Sequence, residues 1–156
     1  MECLLGPVEK LPPQDLLRSL DASSLTVRAK QAERLAALYC RGALDAGERN
    51  IAEEAFRLLR YDSEIIVRRL LAECLKDAPA LPRDIALALA TDKAEIAVPF
   101  IEDSPALGEH DLLAILHDHP GPHRNAIARR RDLPKRVSDA LCRCSDATPV
   151  AATVAD

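Results

Sequence analysis

The sequence predicts an all-α fold, with short helix pairs stacked into a curved α-α superhelix. Three observations predict it. Apolar residues recur at helical spacing in almost every segment. The composition is 48% hydrophobic but only 3% aromatic, with no Trp and five Gly in 156 residues. A core of Leu, Ile, Val and Ala follows, without the aromatic and β-branched richness of sheets or the turn glycines of a many-stranded chain. Third, the C-terminal half repeats itself at a fixed interval.

The first helix is read over 24–40, "SLTVRAKQAERLAALYC". Leu25, Ala29, Ala32, Leu35, Ala36 and Tyr39 form its apolar stripe, and Ser24 can cap its start. The next, 45–61, opens on Asp45 as a cap and should bury Ile51, Ala52, Ala55, Leu58 and Leu59. The third, 62–77, should bury Ile66, Val67, Leu70, Leu71 and Cys74. Its Glu64 and Lys76 sit at the ends that suit the helix dipole.

The helices then shorten and repeat. "APALPRDIALAL" (78–89), "SPALGEHDLLAIL" (104–116) and "RRDLPKRVSDAL" (130–141) align Leu81, Leu107 and Leu133, each 26 residues from the last. Pro82 aligns with Pro134, at a first helical turn where proline is tolerated. Ile85 aligns with Val137, and Leu89 with Leu141. The middle copy reads as having one extra residue, with Leu112 in place of the strict equivalent. Partner segments lie between, at 92–103 and 120–130, and 146–156 opens another copy. A period in this range implies stacked helix pairs, because no pair alone can bury its apolar face. The expected organisation is one domain over 1–156: longer helices over about 13–77, then short repeats over about 78–156, the last incomplete.

The N-terminus "MECLLGPVEK" lacks a basic region and a long apolar run, and no stretch nears the ~18 apolar residues of a membrane span. The expectation is a soluble, cytoplasmic protein with no membrane partner. Five cysteines, Cys3, Cys40, Cys74, Cys142 and Cys144, fit reduced thiols. Charge is uneven. Residues 1–119 carry 14 Lys+Arg against 21 Asp+Glu, whereas 120–145 carry 7 against 2. A basic segment on an acidic body marks a surface that could meet a partner.

Candidate chemistry centres on "LHDHPGPHR", which holds His117, His119 and His123, with His110 upstream. Three imidazoles at that spacing could share a metal ion, with Cys142 and Cys144 as further donors. The Cys-x-x-Cys pairs of strong zinc sites are missing. The simpler reading is an inter-helix turn with exposed polar residues, broken by Pro120, Gly121 and Pro122. Cys144 continues the stripe of Val137, Ala140 and Leu141, while Cys142 points elsewhere. The pairs Glu53–Glu54 and Glu102–Asp103 diverge by about a hundred degrees on a helix and suit a solvated face. No phosphate-loop, dinucleotide or nucleophile-elbow motif occurs. No catalytic residue, cofactor or metal is expected.

The basic cluster Arg124, Arg129, Arg130, Arg131, Lys135 and Arg136 falls at one helix–turn–helix junction. Ala126, Ile127 and the Arg130 stem should face inward, leaving the other cations on an edge. That edge suits an acidic protein surface or phosphorylated segment, or a nucleic-acid backbone. The acidic body and the lack of Trp count against nucleic acid.

The segments "AERLAALY", "IAEEAFRLLRYDSEIIVRRLLAECL", "APALPRDIALALA" and "NAIARRRDLPKRVSDAL" resemble a bacterial family of HEAT-like helical-repeat proteins of unknown function, over about residues 14–156. The resemblance implies an α-helical solenoid and supplies no catalytic residues. Members of that family usually run longer, which implies a short member or an N-terminal piece. The expected function is a non-catalytic protein–protein interaction scaffold. The alternatives are a nucleic-acid-binding module using 124–136, and a metal protein or enzyme using the 117–123 histidines. If the chain is such a piece, a homodimer through its C-terminal end, by way of Val150 and Val154, is also expected.

Overall fold

Eight α-helices and no strand occur among the residues that the computed structural model describes: 24–119 and 121–146, side chains of 145 and 146 excepted. They are α1 (Leu25–Cys40), α2 (Ala46–Leu59), α3 (Ile65–Leu75), α4 (Arg83–Ala90), α5 (Ala94–Asp103), α6 (Glu109–Asp118), α7 (Pro122–Ala128) and α8 (Lys135–Asp146).

Local chemistry sets their ends. Asp45 and Glu48 form a reciprocal capping box at α2: Glu48 N–H donates to Asp45 Oδ1 at 2.8 Å and Asp45 N–H donates to Glu48 Oε2 at 3.0 Å. Ser24 stands at the start of α1, but its hydroxyl makes no capping bond. Past the end of α1, Gly42 takes φ +66°, which only glycine adopts cheaply. Gly42 N–H then reaches Tyr39 O at 3.2 Å and Ala43 N–H reaches Leu38 O at 3.1 Å, the paired bonds of a Schellman stop.

The odd-numbered helices pack in a row, α1 on α3, α3 on α5 and α5 on α7. The even-numbered helices lie against them, α2 on α1 and α3, α4 on α5, and α6 and α8 on α7. Between the rows runs one core built around Phe56, Phe100, Leu71, Leu75, Ile85 and Ile96, all fully buried. In the even row α6 and α8 pack directly, while α2, α4 and α6 stand further apart. Side chains tie all four: Arg57 to Asp84 at 2.8 Å, Arg83 to Asp111 at 2.6 Å and Arg136 to Glu109 at 3.1 Å. The odd row carries its own rungs, Lys76 to Asp103 at 3.2 Å and Arg129 to Glu102 at 2.7 Å.

The 26-residue spacing is a spacing of places in the fold. Helices α4, α6 and α8 start at Arg83, Glu109 and Lys135. Leu81 and Leu107 are buried two residues before their helices, and Leu133 packs half-buried on the core at the same place. The middle copy has no extra residue. Asp111 stands where Ile85 and Val137 stand, 5% exposed. It is tolerated there because it accepts from Gly108 N–H at 3.2 Å and from Arg83 Nε at 2.7 Å.

Two expected core residues face outward: Leu58 is 47% exposed and Ile66 is 51% exposed. The buried face of α2 is centred on Ala52, Ala55, Phe56 and Leu59, which puts Leu58 roughly 110° round the helix. On α3 the inward line is Val67, Leu71 and Leu75, and Ile66 flanks it. No described helix is long and apolar enough to cross a membrane. Val150 and Val154 lie outside the described residues.

Candidate partner-binding surface

The basic cluster divides once it is folded. Helix α7 is seven residues long and turns Ala126 and Ile127 into the core. The chain leaves it at Arg129, which is exposed and donates to Glu102 on α5. Arg130 then turns fully inward, its side chain 2% exposed. Its guanidinium donates to Ile101 O at 2.5 Å, to Ser104 O at 3.0 Å and to Asp132 Oδ2 at 3.0 Å. Those carbonyls belong to the end of α5 and the residue after it, so Arg130 closes off orphan helix-end acceptors. It is a structural cation: the guanidinium goes inside together with the stem, and Arg130 leaves the exposed cluster in which the sequence had grouped it.

What remains outside is a short basic ridge on the α7–α8 connection. Arg131 and Lys135 are exposed and make no ion pair among the described residues. Arg136 is exposed and pairs with Glu109, and Arg124 is half-buried. The ridge therefore offers two unpaired cations flanked by two, Arg129 and Arg136, that are held by single carboxylates.

The histidines do not converge. His110 is exposed, and His117 is exposed with Nδ1 2.7 Å from Asp118 Oδ1. His123, expected at the surface, is buried: its Nε2 lies 3.0 Å from Asp92 O, so the nitrogen donates. The His119 ring packs on it at 5.1 Å between centroids. Among the described residues no three His, Cys, Asp or Glu side chains stand close enough to share an ion. Cys144 is half-buried against the core and Cys142 is exposed, as their spacing implied.

The carboxylates have work other than a solvated face. Glu53 Oε1 lies 2.9 Å from the Tyr39 hydroxyl, whose one proton is shared with Ala80 O at 3.0 Å. Arg49 donates to the same hydroxyl oxygen at 2.9 Å and caps the Tyr39 ring at 4.5 Å. Burial, with Glu53 beside it, pushes the phenol up to about 12. Glu102 and Asp103 diverge as expected and are spent on Arg129 and Lys76.

A second surface was not singled out from the sequence. Arg60, Tyr61, Arg68, Asp84, Leu87 and Thr91 line an open groove of about 640 Å³ between the α2–α3 turn, α3 and α4. Tyr61 is 75% exposed, with the Arg60 guanidinium 4.7 Å from its ring centroid. Asp84 is held below the usual carboxylate range, chiefly by the hydrogen bond from Arg57. Arg68 donates to Asp92 Oδ2 at 2.8 Å and to Asp62 O at 2.6 Å. The signal was Tyr61 itself, an aromatic residue inside the polar turn "RYDSE" where no core claims it.

The family model described as an uncharacterised protein conserved in bacteria (DUF2336) matches residues 96–156. The chain is similar to that family from α5 onward, a narrower span than the resemblance over 14–156 implied, and the description names no activity. No curated protein and no solved structure matches the chain.

Proposed function

We propose that this chain is a non-catalytic protein-interaction scaffold of HEAT-like type, an α-α superhelix whose odd-numbered helices line the concave side. Close packing along the whole odd row, against bridged gaps from α2 to α4 and from α4 to α6, supports that curvature. The observation that carries the function is the basic ridge. Arg131 and Lys135 are exposed without carboxylate partners in a chain that is acidic overall. Two cations left unpaired, Arg131 on the short connection and Lys135 at the start of α8, contribute little to folding and suit an acidic or phosphorylated segment of another protein. Arginine and tyrosine are also the side chains on which protein interfaces most often depend, and the Tyr61 groove offers both. Nucleic acid is the weaker reading, because Arg130 is buried and Arg129 and Arg136 are already paired.

The test is a nuclease-treated pull-down from native lysate, with wild type beside Arg131→Ala/Lys135→Ala, read by mass spectrometry. The proposal expects a discrete protein that the double variant loses. Equal recovery by both chains moves the interface away from the ridge. No enriched protein in either sinks the scaffold reading.

A further inference from the structure

We propose that Cys40 and Cys74 form a reversible disulfide that ties α1 to α3. Cys40 is the last residue of α1 and Cys74 lies one residue before the end of α3. The two helices pack directly on each other. Cys40 Sγ points at Cys74 itself, donating to its carbonyl oxygen at 3.4 Å. Cys40 is exposed and Cys74 half-buried, so a small oxidant reaches the first thiol and the second stands behind it. A disulfide requires Cα atoms about 4.4–6.8 Å apart, and the contact of Cys40 Sγ with the Cys74 carbonyl brings the two residues side by side. Cys40 is also among the charges that raise the Cys74 thiol.

Cys74 packs against the edge of the core, and Cys40 has no such task. Cys40 adds nothing to the buried core, and its thiol, a weak donor, makes one long bond to the Cys74 carbonyl. Burial, then Asp77, pushes the Cys40 thiol up. Burial, then Glu33, pushes Cys74 up, with Glu73 adding to it. Both sit at helix C-termini, where a thiolate is also disfavoured. Exchange is therefore slow at neutral pH and quickens in alkali, since the thiolate is the attacking form.

The oxidant is a low-molecular-weight disulfide. The Cys40 thiolate attacks one of its sulfurs, an S–S bond breaks, and one small thiolate leaves and takes up the proton. The Cys74 thiolate then attacks the Cys40 sulfur of that mixed disulfide and expels the second small thiol. Two protein thiols are oxidised to one disulfide, and one small disulfide is reduced to two small thiols.

The test uses the full chain with Cys3→Ser, Cys142→Ser and Cys144→Ser, which keeps only this pair. It is incubated with oxidised glutathione at alkaline pH and read by intact mass, free-thiol titration and non-reducing peptide mapping. The proposal expects both thiols to vanish, the mass to fall by two hydrogens with no glutathione retained, and one peptide joining Cys40 to Cys74. Dithiothreitol should restore both thiols, and the oxidised chain should melt higher. The wild-type chain, mapped in parallel, should give the same joined peptide, which guards against a variant that fails to fold. Adding Cys40→Ser should leave Cys74 with no disulfide to form inside the chain. Retained glutathione on either cysteine of the pair, links between chains, or two persisting thiols would each overturn the assignment.

Discussion

Arg130 donates to the carbonyl oxygen of Ser104 at 3.0 Å, and Ser104 occupies the place that Arg130 itself occupies one 26-residue step later. Ala78 is the same place one step earlier, and all three are buried. A guanidinium at the third copy thus fills a site that methyl and hydroxymethyl groups fill in the first two. Its long fork then satisfies the end of α5.

That relationship predicts a division within the basic cluster. Arg130→Ala should destabilise by about 2–4 kcal/mol, because it strips charged hydrogen bonds from buried carbonyls. Arg131→Ala, one residue on and exposed, should stay within about 0.5 kcal/mol of wild type. Urea unfolding of the two variants checks it. Equal effects would mean that Arg130 is not the inward residue.

Tyr39 predicts an alkaline loss of stability. Its phenol is raised from 10.0 to about 12 in the folded chain. The unfolded chain releases its proton first, so the contribution is complete below pH 10 and fades as pH rises towards 12. At about 1.4 kcal/mol per pH unit, roughly 2–3 kcal/mol is at stake. Tyr39→Phe should cost about 1–2 kcal/mol at pH 8 through its lost hydrogen bonds and should flatten that decline. Urea midpoints at pH 8 and above pH 11, for both chains, measure it.

Asp111 predicts a test of the register. Its equivalents are Ile85 and Val137, so the site is apolar by position and acidic by exception. Asp111→Ala should lose about 1–2 kcal/mol through the helix-start bond and the small void. Asp111→Val should recover part of that by filling the void. Thermal melts of the pair decide it. A valine variant less stable than the alanine one would place the site off the register.

These sites also show what the sequence could and could not reveal. Helix positions and the 26-residue interval were legible because apolar spacing reports directly on burial. Helical spacing placed the Arg130 stem inward; that its guanidinium follows, onto the carbonyls of Ile101 and Ser104, was not legible. Leu58 and Ile66 were misplaced because an apolar residue at the rim of a stripe is compatible with either side. The partners of Arg28, Arg57 and Arg68 were not legible. Their carboxylates, Asp62, Asp84 and Asp92, lie 34, 27 and 24 residues away in sequence and meet them only through stacking. Of the candidate surface, the connection between α7 and α8 was legible as a charge run. The Tyr61 groove was not, since it exists only where a turn meets two helices.

The central claim, that the α7–α8 ridge receives an acidic protein segment, is tested most directly by equilibrium binding. A fluorescent Glu/Asp-rich peptide and random duplex DNA would be titrated in parallel at ~50 mM salt, where charge contacts are strongest. Wild type and Arg131→Glu/Lys135→Glu would be compared at matched thermal stability. The account predicts that the peptide binds wild type, is lost on charge reversal, and is preferred over DNA. DNA bound more tightly than the peptide, or a peptide affinity unchanged by the reversal, would contradict it.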